Sequence, residues 1–571
     1  MSKILQAPRL AFFTAAVIVF SYYHWQVRAA GNDIAWGHDL AGYYNFLAQG
    51  LTQGHLYLPV DPSPQLLAQP NPWDPKVDDS LKLFDAVLFN RRYYLYHGIG
   101  PALMAFAPWR LLTRHDLPEN AAILGFGFTG WLFAAGAFLG CLRLQRRTPH
   151  PVLVFVALLM LAVCQGVPFL LNRVWVYEVA IAAGYFCISA ALCFLVRYLN
   201  TQVNSWLLPA GFFFGMAVAC RPHLGLVGAL ALLLLLLKHR RAFLHAALPF
   251  TLVCAAVCFY NYQRFNQPLE FGTRYLLSGA NQGEVHWLLS HLARGFQYLL
   301  LAPPVISPVF PWFHAAPRPA TLPLSYTLEP LIGALWLAPI LVLLPFAFRK
   351  TPARPVLLIL LSGGFGLLLF LAGTGWSVQR YQVDFLPLLL LAALASAPLV
   401  IPALLVVPCL AVSLALGITG PYDEMLRNRP ARYVKIAQWF SPVANLRPRL
   451  NPPINALFTR PATRPEGTTE ILLAAGPTAA HYELRFMQAL GKPTLVSEFG
   501  LFGASKATAE LAPTTSPRHL DVRYNPADRT LTVTENGVPV LRHKFGPLVT
   551  APADITSRPE QTSDALLRDG K

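Results

Sequence analysis

The sequence predicts a polytopic α-helical membrane protein that ends in a small β-domain. Of its 571 residues, 55% are hydrophobic and only 13% are charged, and the mean hydropathy is +0.44. These values lie far from those of a soluble domain. A further observation is the change of character after residue 420, where apolar runs give way to a basic, Pro-rich segment and then to strand-like alternation.

Eleven apolar segments are predicted to span the membrane, with a range of about ten to thirteen because several are short for a bilayer of about 30 Å. Segment 98–112 is apolar too, but as a span it would reverse the sidedness of the loops that follow. We therefore expect it to be a juxtamembrane or re-entrant helix. The predicted spans are 8–23, 121–142, 151–170, 177–196, 206–219, 224–237, 243–262, 326–348, 355–372, 385–397 and 399–417.

The first span admits a second interpretation, as a signal peptide cleaved near Ala29. Tyr22, Tyr23 and Trp25 instead resemble an interfacial aromatic belt, which favours a retained anchor. We therefore count this segment as a span.

The net charge of +17 is distributed as membrane topology requires. If Met1 is cytoplasmic, each of the short cytoplasmic loops between spans carries Arg or Lys, which is the positive-inside pattern and indicates contact with membrane lipids rather than nucleic acid. The eight cysteines lie in apolar segments and predict neither a disulfide framework nor a zinc site. The cations of these loops are Arg143, Arg146, Arg147, Arg197, Lys238, Arg240, Arg241, Arg349, Lys350 and Arg354.

On this topology the large polar loops 26–97 and 263–325 share the outer side with everything after residue 419. Charges at the mouths of apolar helices are costly unless they are paired or hydrated, so a group of them predicts a functional site. Interfacial anchoring explains any single Arg or Tyr there equally well. It explains the acids Asp39, Glu178 and Asp384 less well.

Five segments, in a fixed order, carry a family resemblance. They are HDLAGYYNFLAQGL, YYLYHGIGPALMAFAP, VYEVAIAAGYF, GMAVACRPHLG and RYQVDFLP. Together they resemble the GT-C membrane glycosyltransferases, and within them the bacterial relatives of protein mannosyltransferases and aminoarabinose transferases in glycosyltransferase family 39. The likeness covers about residues 8–418 and depends on topology and motif order.

The resemblance implies an inverting hexosyl or pentosyl transferase that uses a polyprenyl-phosphate-linked sugar. The acceptor would be an envelope glycan, lipid or protein at the outer face of the bacterial cytoplasmic membrane. The resemblance maps the catalytic acid onto Asp39 and the second-loop acid onto Glu178. Two departures occur: Asp39 has no acidic neighbour, and the His-Pro-Pro signature of the family is changed to a Gly-containing sequence after His97.

Such a transfer needs a base for the acceptor hydroxyl and cations for the departing phosphate. We assign the base to Asp39 and the phosphate contacts to Arg221 and Arg380, with Arg274 in reserve, because a guanidinium presents a planar fork of donors. No spaced carboxylate cluster requires a metal, although a divalent cation would be compatible with the chemistry. Supporting roles fall to His97, Tyr381, Asp384 and His223.

Two acids keep structural alternatives. Glu178 could orient the acceptor or hold a cation, or it could form a salt bridge with Arg173. Asp384 follows Arg380 by four residues, so on a helix the two would pair. In that case Asp384 would orient the arginine rather than react.

The C-terminal part divides into three segments. Residues 421–465 read as a basic, Pro-rich linker against anionic lipid, 466–552 as an extracytoplasmic β-domain, and 553–571 as a disordered tail. Within the β-domain, Glu535-Asn536-Gly537 between two strand-like runs predicts a hairpin, and a turn at 525–528 precedes it.

A non-enzymatic role in envelope polysaccharide export or assembly, as a flippase or scaffold, is the alternative function. A transporter is expected to carry ionisable groups near the middle of its spans and to show repeated halves. Here the ionisable groups gather at one predicted face and no clear repeat is visible. The pattern therefore favours the enzyme.

Overall fold

The computed structural model describes residues 2–37, 42–74, 77–278, 287–315, 326–397, 402–462, 469–476, 480–489, 491–500 and 505–555. The chain is mostly helical and carries a region of β-sheet at its C-terminal end. The helices are α1 (Ser2–Ala29), α2 (Tyr43–Thr52), α3 (Pro64–Leu67), α4 (Ala107–Thr113), α5 (Glu119–Leu144), α6 (Pro151–Val163), α7 (Val167–Asn172), α8 (Val176–Thr201), α9 (Leu207–Cys220), α10 (Gly225–Lys238), α11 (Arg240–Phe265), α12 (Leu292–Phe296), α13 (Ala334–Leu337), α14 (Arg354–Gly373), α15 (Gln382–Ser396), α16 (Pro402–Asn428) and α17 (Pro430–Trp439).

Within the described residues, five helices are long and apolar enough to cross a membrane: α1, α5, α8, α11 and α14. Four shorter apolar helices accompany them, at Pro151–Val163, Asn204–Cys220, Pro222–Lys238 and Pro339–Phe348. The structure thus supports a membrane protein, while the eleven predicted spans stay a prediction. Segment 98–112 forms a short π-helical turn at Ala102–Phe106 followed by α4, and it is not among the spans.

Small residues allow α5 and α8 to approach closely. A Cβ added to Gly130 would lie 2.6 Å from the Tyr185 ring, and one on Gly140 would lie 2.5 Å from Val196. Glycines at such crossings are a common device of membrane helices, whose backbones meet where side chains are small. These two helices form the buried centre of the bundle, whereas α11 exposes leucines at its periphery.

The helices share two ends. At one end, called the site end, Asn428 Nδ2 donates to the Ala30 carbonyl over 3.0 Å, which joins the last turn of α16 to the end of α1. The N-termini of α5, α8 and α15 and the C-terminus of α9 lie there too, as the contacts described below show. At the opposite end, Gln145 Nε2 donates to the Ala395 carbonyl over 2.8 Å and so joins the ends of α5 and α15.

The predicted linker 421–465 begins with helix. Helix α16 continues without a break to Asn428, and α17 follows after a single residue. The prolines do not prevent this, because Pro421 lies within α16 and Pro430 occupies the first position of α17, where a missing N–H costs little.

Two four-stranded antiparallel sheets form the C-terminal β-sandwich, in the orders β12-β11-β10-β9 and β15-β14-β13-β8. They enclose one apolar core, and the first strand already begins at Ile454. The predicted hairpin is confirmed: β14 pairs with β15 across Asn536 and Gly537, which have φ values of 51° and 83°. The strands of the chain are β1 (Ala86–Phe89), β2 (Arg92–Leu95), β3 (Val305–Ile306), β4 (Phe313–His314), β5 (Thr327–Leu328), β6 (Trp376–Ser377), β7 (Arg449–Leu450), β8 (Ile454–Arg460), β9 (Thr469–Ala475), β10 (Tyr482–Ala489), β11 (Lys492–Phe499), β12 (Ser505–Glu510), β13 (Arg518–Asn525), β14 (Thr530–Glu535), β15 (Val538–Lys544) and β16 (Val549–Thr550).

Candidate active site

Arg380 lies at the centre of a buried charge network at the site end. Its Nη1 donates to both carboxylate oxygens of Glu329, at 2.8 and 2.9 Å, and lies 4.0 Å from Oε1 of Glu178. Arg173 Nη1 donates to the same Glu329 carboxylate over 2.6 Å. Only 8% of Arg380 and 1% of Glu178 is exposed. Burying these charges is tolerable because each cation faces a carboxylate.

A second network forms around Asp384 in the first turn of α15. Arg221, which follows α9, donates from Nη2 to Oδ2 of Asp384 over 2.8 Å, and His223 Nε2 lies 2.9 Å from the same oxygen. The Nε of Arg221 is buried without a partner. One donor of this guanidinium therefore stays available for a ligand.

Neither pairing that was considered as a structural alternative for the acids is found. Asp384 pairs with Arg221 rather than with Arg380, because Arg380 lies in a 3₁₀ turn before α15 and points to Glu329. Arg173 likewise pairs with Glu329 rather than with Glu178. The actual partners are distant in sequence, and no helical spacing announces them.

Two tyrosines join the networks. The Arg221 and Arg380 guanidiniums lie 5.5 and 5.9 Å from the centre of the Tyr381 ring, so the two predicted phosphate ligands converge on one side chain. Arg380 also lies 4.6 Å from the centre of the Tyr177 ring, whose hydroxyl donates to Oδ2 of Asp85. The term mouth site is used below for Asp85, His97, Tyr177, Arg221, Arg380 and Tyr381.

The electrostatics of the mouth site set the charge of its acid and its imidazole. Burial raises the pKa of the Asp85 carboxyl to about 7, against the opposing effect of the Arg380 cation. Burial lowers the pKa of His97 to about 3, and the cations Arg221 and Arg380 add to this shift. His97 is therefore neutral, its Nε2 is buried without a partner, and its ring lies 4.9 Å from that of Tyr177.

The pKa of Glu329 is lowered, in contrast to that of Asp85. Burial opposes its ionisation, but Arg380 and Arg173 outweigh burial and hold the pKa of Glu329 below its usual value. The two arginines thus favour the ionised form of Glu329, whose carboxylate anchors both of them. Asp85, by contrast, can take up or release a proton near neutral pH, as a general base must.

A cleft of about 850 Å³, counting its open mouth, adjoins the Arg380 network between α7, α8 and α16. Arg173, Arg427 and Glu424 line it together with Asn172, whose two side-chain amide atoms are buried without a partner. The guanidiniums of Arg173 and Arg427 lie 3.8 and 5.9 Å from the centre of the Trp175 ring. Such a mixture of carboxylate, guanidinium, amide and aromatic groups suits a polar ligand rich in hydroxyls.

Asp39, the predicted base, lies outside the described residues, as does the rest of segment 38–41. Both flanks of the segment are placed near the site. Asn120 Nδ2 donates to the Asp33 carbonyl over 3.0 Å, and a Cβ on Gly42 would lie 2.8 Å from Oε1 of Glu119. The chain therefore enters and leaves this segment beside the N-terminus of α5.

The reserve phosphate ligand Arg274 does not join the network. It is exposed in a 3₁₀ turn at Thr273–Tyr275, and in the described structure no ion pair links it to a carboxylate. The remaining predicted residues, His97, Glu178, Arg221, His223, Arg380, Tyr381 and Asp384, all belong to the two networks or to the mouth site.

Sequence reasoning overlooked three residues of the site: Asp85, Tyr177 and Glu329. Asp85 has a positive φ of 61° and lies between Phe84 and the first strand. Nothing in the local pattern distinguishes it from the other acids of the first loop, because its importance comes from a hydrogen bond to a residue far along the chain. Glu329 was overlooked because it lies within segment 326–348, which was read only as a span.

Among the residues that the structure describes, no group of three His, Cys, Asp or Glu side chains is arranged to hold a metal ion. Independence from a metal or cofactor stays a prediction.

Comparison with known proteins gave no relative: no family model, no curated protein and no solved structure matches the chain. The likeness to GT-C glycosyltransferases therefore stays a prediction from motifs in the sequence. The function must be argued from the residues of the site and their geometry.

Proposed function

We propose that the chain is a membrane-embedded glycosyltransferase that takes a sugar from a polyprenyl-phosphate donor at the site end. The observation that carries the proposal is the convergence of Arg221 and Arg380 on Tyr381, beside Asp85, at the mouths of apolar helices. Two guanidiniums suit a phosphate, the apolar helices suit a polyprenyl chain, and an acid with a pKa near 7 suits proton transfer.

Arg221 is the principal phosphate ligand in this proposal. Its buried Nε–H lacks a partner, and a phosphate oxygen would supply one, which removes the cost of leaving a charged donor unsatisfied. Asp384 and His223 hold the guanidinium from the other side. Arg380, which Glu329 holds in place, adds positive charge as the phosphate leaves.

The base takes the proton of the acceptor hydroxyl while its oxygen attacks C1 of the sugar. The C1–O bond to the phosphate breaks, and its electron pair leaves with the polyprenyl phosphate. The resemblance assigns the base to Asp39, and among the described acids Asp85 has the pKa that suits the task. The cleft lined by Asn172, Arg173 and Glu424 is proposed to receive sugar hydroxyls.

The finer topology belongs to the same proposal. The eleven spans place the site end outside the bacterial cytoplasmic membrane, with the N-terminus cytoplasmic and the β-sandwich extracytoplasmic. The positive-inside pattern supports this orientation, because the loops of the opposite end are rich in Arg and Lys. In the membrane-length segments 10–29, 119–144, 176–201, 240–265 and 354–373, every Asp, Glu, Lys and Arg lies near an end of its segment, which favours a surface reaction over a transport pathway through the middle of the bundle.

The proposal is tested on the full chain in nanodiscs. Polyprenyl phosphate without sugar is the probe, and its binding is followed by native mass spectrometry. Arg221→Gln should weaken binding at least tenfold, whereas Arg143→Gln, an exposed cation of the opposite end, should leave it unchanged.

Transfer is measured separately, with radiolabelled polyprenyl-phosphate sugars and envelope extracts as acceptors. Asp39→Asn should abolish transfer but retain binding of polyprenyl phosphate. Equal binding by the Arg221→Gln and Arg143→Gln proteins would contradict the phosphate site, and full transfer by Asp39→Asn would remove Asp39 from the reaction.

A further inference from the structure

α17 presents one basic face away from the protein. Arg432, Lys435 and Trp439 are all exposed and recur at helical spacing, whereas Tyr433 and Val434 on the other face are buried. The buried face packs at the junction between the helical bundle and the β-sandwich, in an apolar cluster with Phe310, Met425, Ala480 and Val549. The orientation of the exposed face is thereby fixed.

Aromatic rings connect this face to the end of the first membrane helix. Trp25 of α1 lies 6.4 Å from Tyr422 between ring centres, and Tyr422 lies 4.7 Å from Phe310. Phe310 in turn lies 4.9 Å from Phe440 and 5.1 Å from Trp312. Trp25 belongs to the last turns of a membrane-length helix, so these rings are at or near the depth where a bilayer gives way to water.

Large apolar side chains are exposed along the same surface. Trp439 is 87% exposed and Ile306 is 74% exposed. Contiguous exposed apolar groups of this size mark a contact surface, and Trp beside Arg and Lys is the combination found where proteins meet lipid headgroups. The interfacial surface is defined here as Ile306, Trp312, Arg432, Lys435, Trp439, Phe440 and Val443.

We propose that the interfacial surface binds the headgroup layer of the bilayer, with Trp439 and Phe440 among the upper acyl chains and Arg432 and Lys435 on anionic phospholipid headgroups. The two cations complement the anionic phosphates, and the aromatic series from Trp25 makes the surface continuous with the membrane-spanning part. The sandwich is thereby held down on the membrane. The inference is independent of the reaction at the mouth site.

The surface also bears on the cleft. Trp312 and Phe313 are neighbours in the hairpin of β3 and β4, and Phe313 lines the cleft. Lipid that binds Trp312 also restrains the neighbouring Phe313 and with it the wall of the cleft. Detachment of the surface is expected to alter the cleft without affecting the ion pairs of Arg380.

Depth measurements test the proposal on the full chain in nanodiscs. A spin label on Trp439→Cys is compared with one on Val538→Cys, an exposed position in the β-sandwich, and wild-type chain gives the background from native cysteines. For each label, the measured quantity is the ratio of its collisions with oxygen to its collisions with a water-soluble nickel complex. This ratio should be at least threefold higher at position 439 than at position 538. Equal ratios at both positions would overturn the proposal.

The lipid headgroup is tested with the same label. Replacing a third of the phosphatidylcholine by phosphatidylglycerol should move the label at position 439 deeper, and Arg432→Gln with Lys435→Gln should remove this shift. Both cations are exposed, so the double variant should fold. An unchanged shift would contradict the anionic headgroup, and dipolar coupling between labels on two chains would show a second copy as the occupant instead.

Discussion

The two ends of the helical bundle carry opposite kinds of charge. Up to Glu424, every Asp and Glu that the structure describes lies at the site end or in the loops that join it, whereas the loops 143–150, 197–206, 238–241 and 349–354 of the opposite end contain no acid. Cations at the opposite end such as Arg143 and Arg146 are exposed. At the site end, Arg380 is buried against carboxylates, and Arg173 and Arg221 each pair with one.

This difference indicates that the exposed cations of the opposite end serve membrane topology, whereas the buried charges of the site end serve chemistry. Exposed cations next to a membrane need only water and lipid phosphates and cost the fold little. Buried pairs cost desolvation, and apolar residues of the same size would often serve stability better. Retaining several such pairs at one end of an otherwise apolar bundle is a sign of function, and the unpartnered nitrogens of Arg221 and His97 point the same way.

Removing the central cation should have the largest effect. Arg380→Gln leaves the buried carboxylates of Glu329 and Glu178 facing each other, so we expect a loss of about 3–5 kcal/mol in the free energy of unfolding. Titration with SDS measures it, and sugar transfer should be lost as well. A variant as stable as the wild type would show that water already solvates these acids.

Disrupting the second network should have the next largest effect on stability. Asp384→Asn removes a charge that accepts from Arg221 and contacts His223, and hydrogen bonds to charged groups contribute about 1.5–3 kcal/mol each. The same SDS titration applies. If the variant also binds polyprenyl phosphate normally, Asp384 does not orient Arg221.

The pH dependence of Asp85 gives a smaller but specific effect. Burial raises its pKa to about 7 in the folded chain, so between the unfolded and folded pKa values the folded chain binds more protons. The contribution of Asp85 to stability is therefore complete below its unfolded pKa and is lost as the pH rises through about 7. Asp85→Asn should flatten this slope in melting curves recorded from pH 4 to 8. A slope identical to that of the wild type would remove Asp85 as its source.

The opposite end should give the smallest effect. Arg143→Gln replaces an exposed cation, and we expect a change within about 0.5 kcal/mol in the free energy of unfolding. Thermal melting in detergent, beside the Arg380→Gln protein, measures the contrast. If Arg143→Gln lost as much stability as Arg380→Gln, the proposed difference between the two ends would be contradicted.

Much of the fold follows from local patterns in the sequence. Length and apolarity identify the five membrane-length helices, and Asn536-Gly537 identifies the hairpin of the sandwich. The helices after residue 420 were not predicted because proline was taken as a sign of a linker, although Pro430 occupies a helix start. Local signals therefore give elements reliably but mistake proline that the helix can accommodate.

The residues of the site fall into those that could be recognised from the sequence and those that could not. Arg221, Arg380, Glu178 and Asp384 could be recognised because each is a charge beside an apolar span, and the structure brings them to one end. Their partners could not be recognised. Arg221 and Asp384 are 163 residues apart in the chain, and only the packing of α9 against its neighbours decides that they meet.

The most direct test is a structure of the chain with bound polyprenyl phosphate. The account predicts the phosphate at the site end, within about 4 Å of the guanidinium of Arg221 and beside Arg380, where charge-assisted hydrogen bonds can form. The opposite end is also basic, so it is a real competitor for the same anion. Phosphate bound there, among Arg143, Arg146 and Lys238, with the mouth site occupied only by water, would contradict the account.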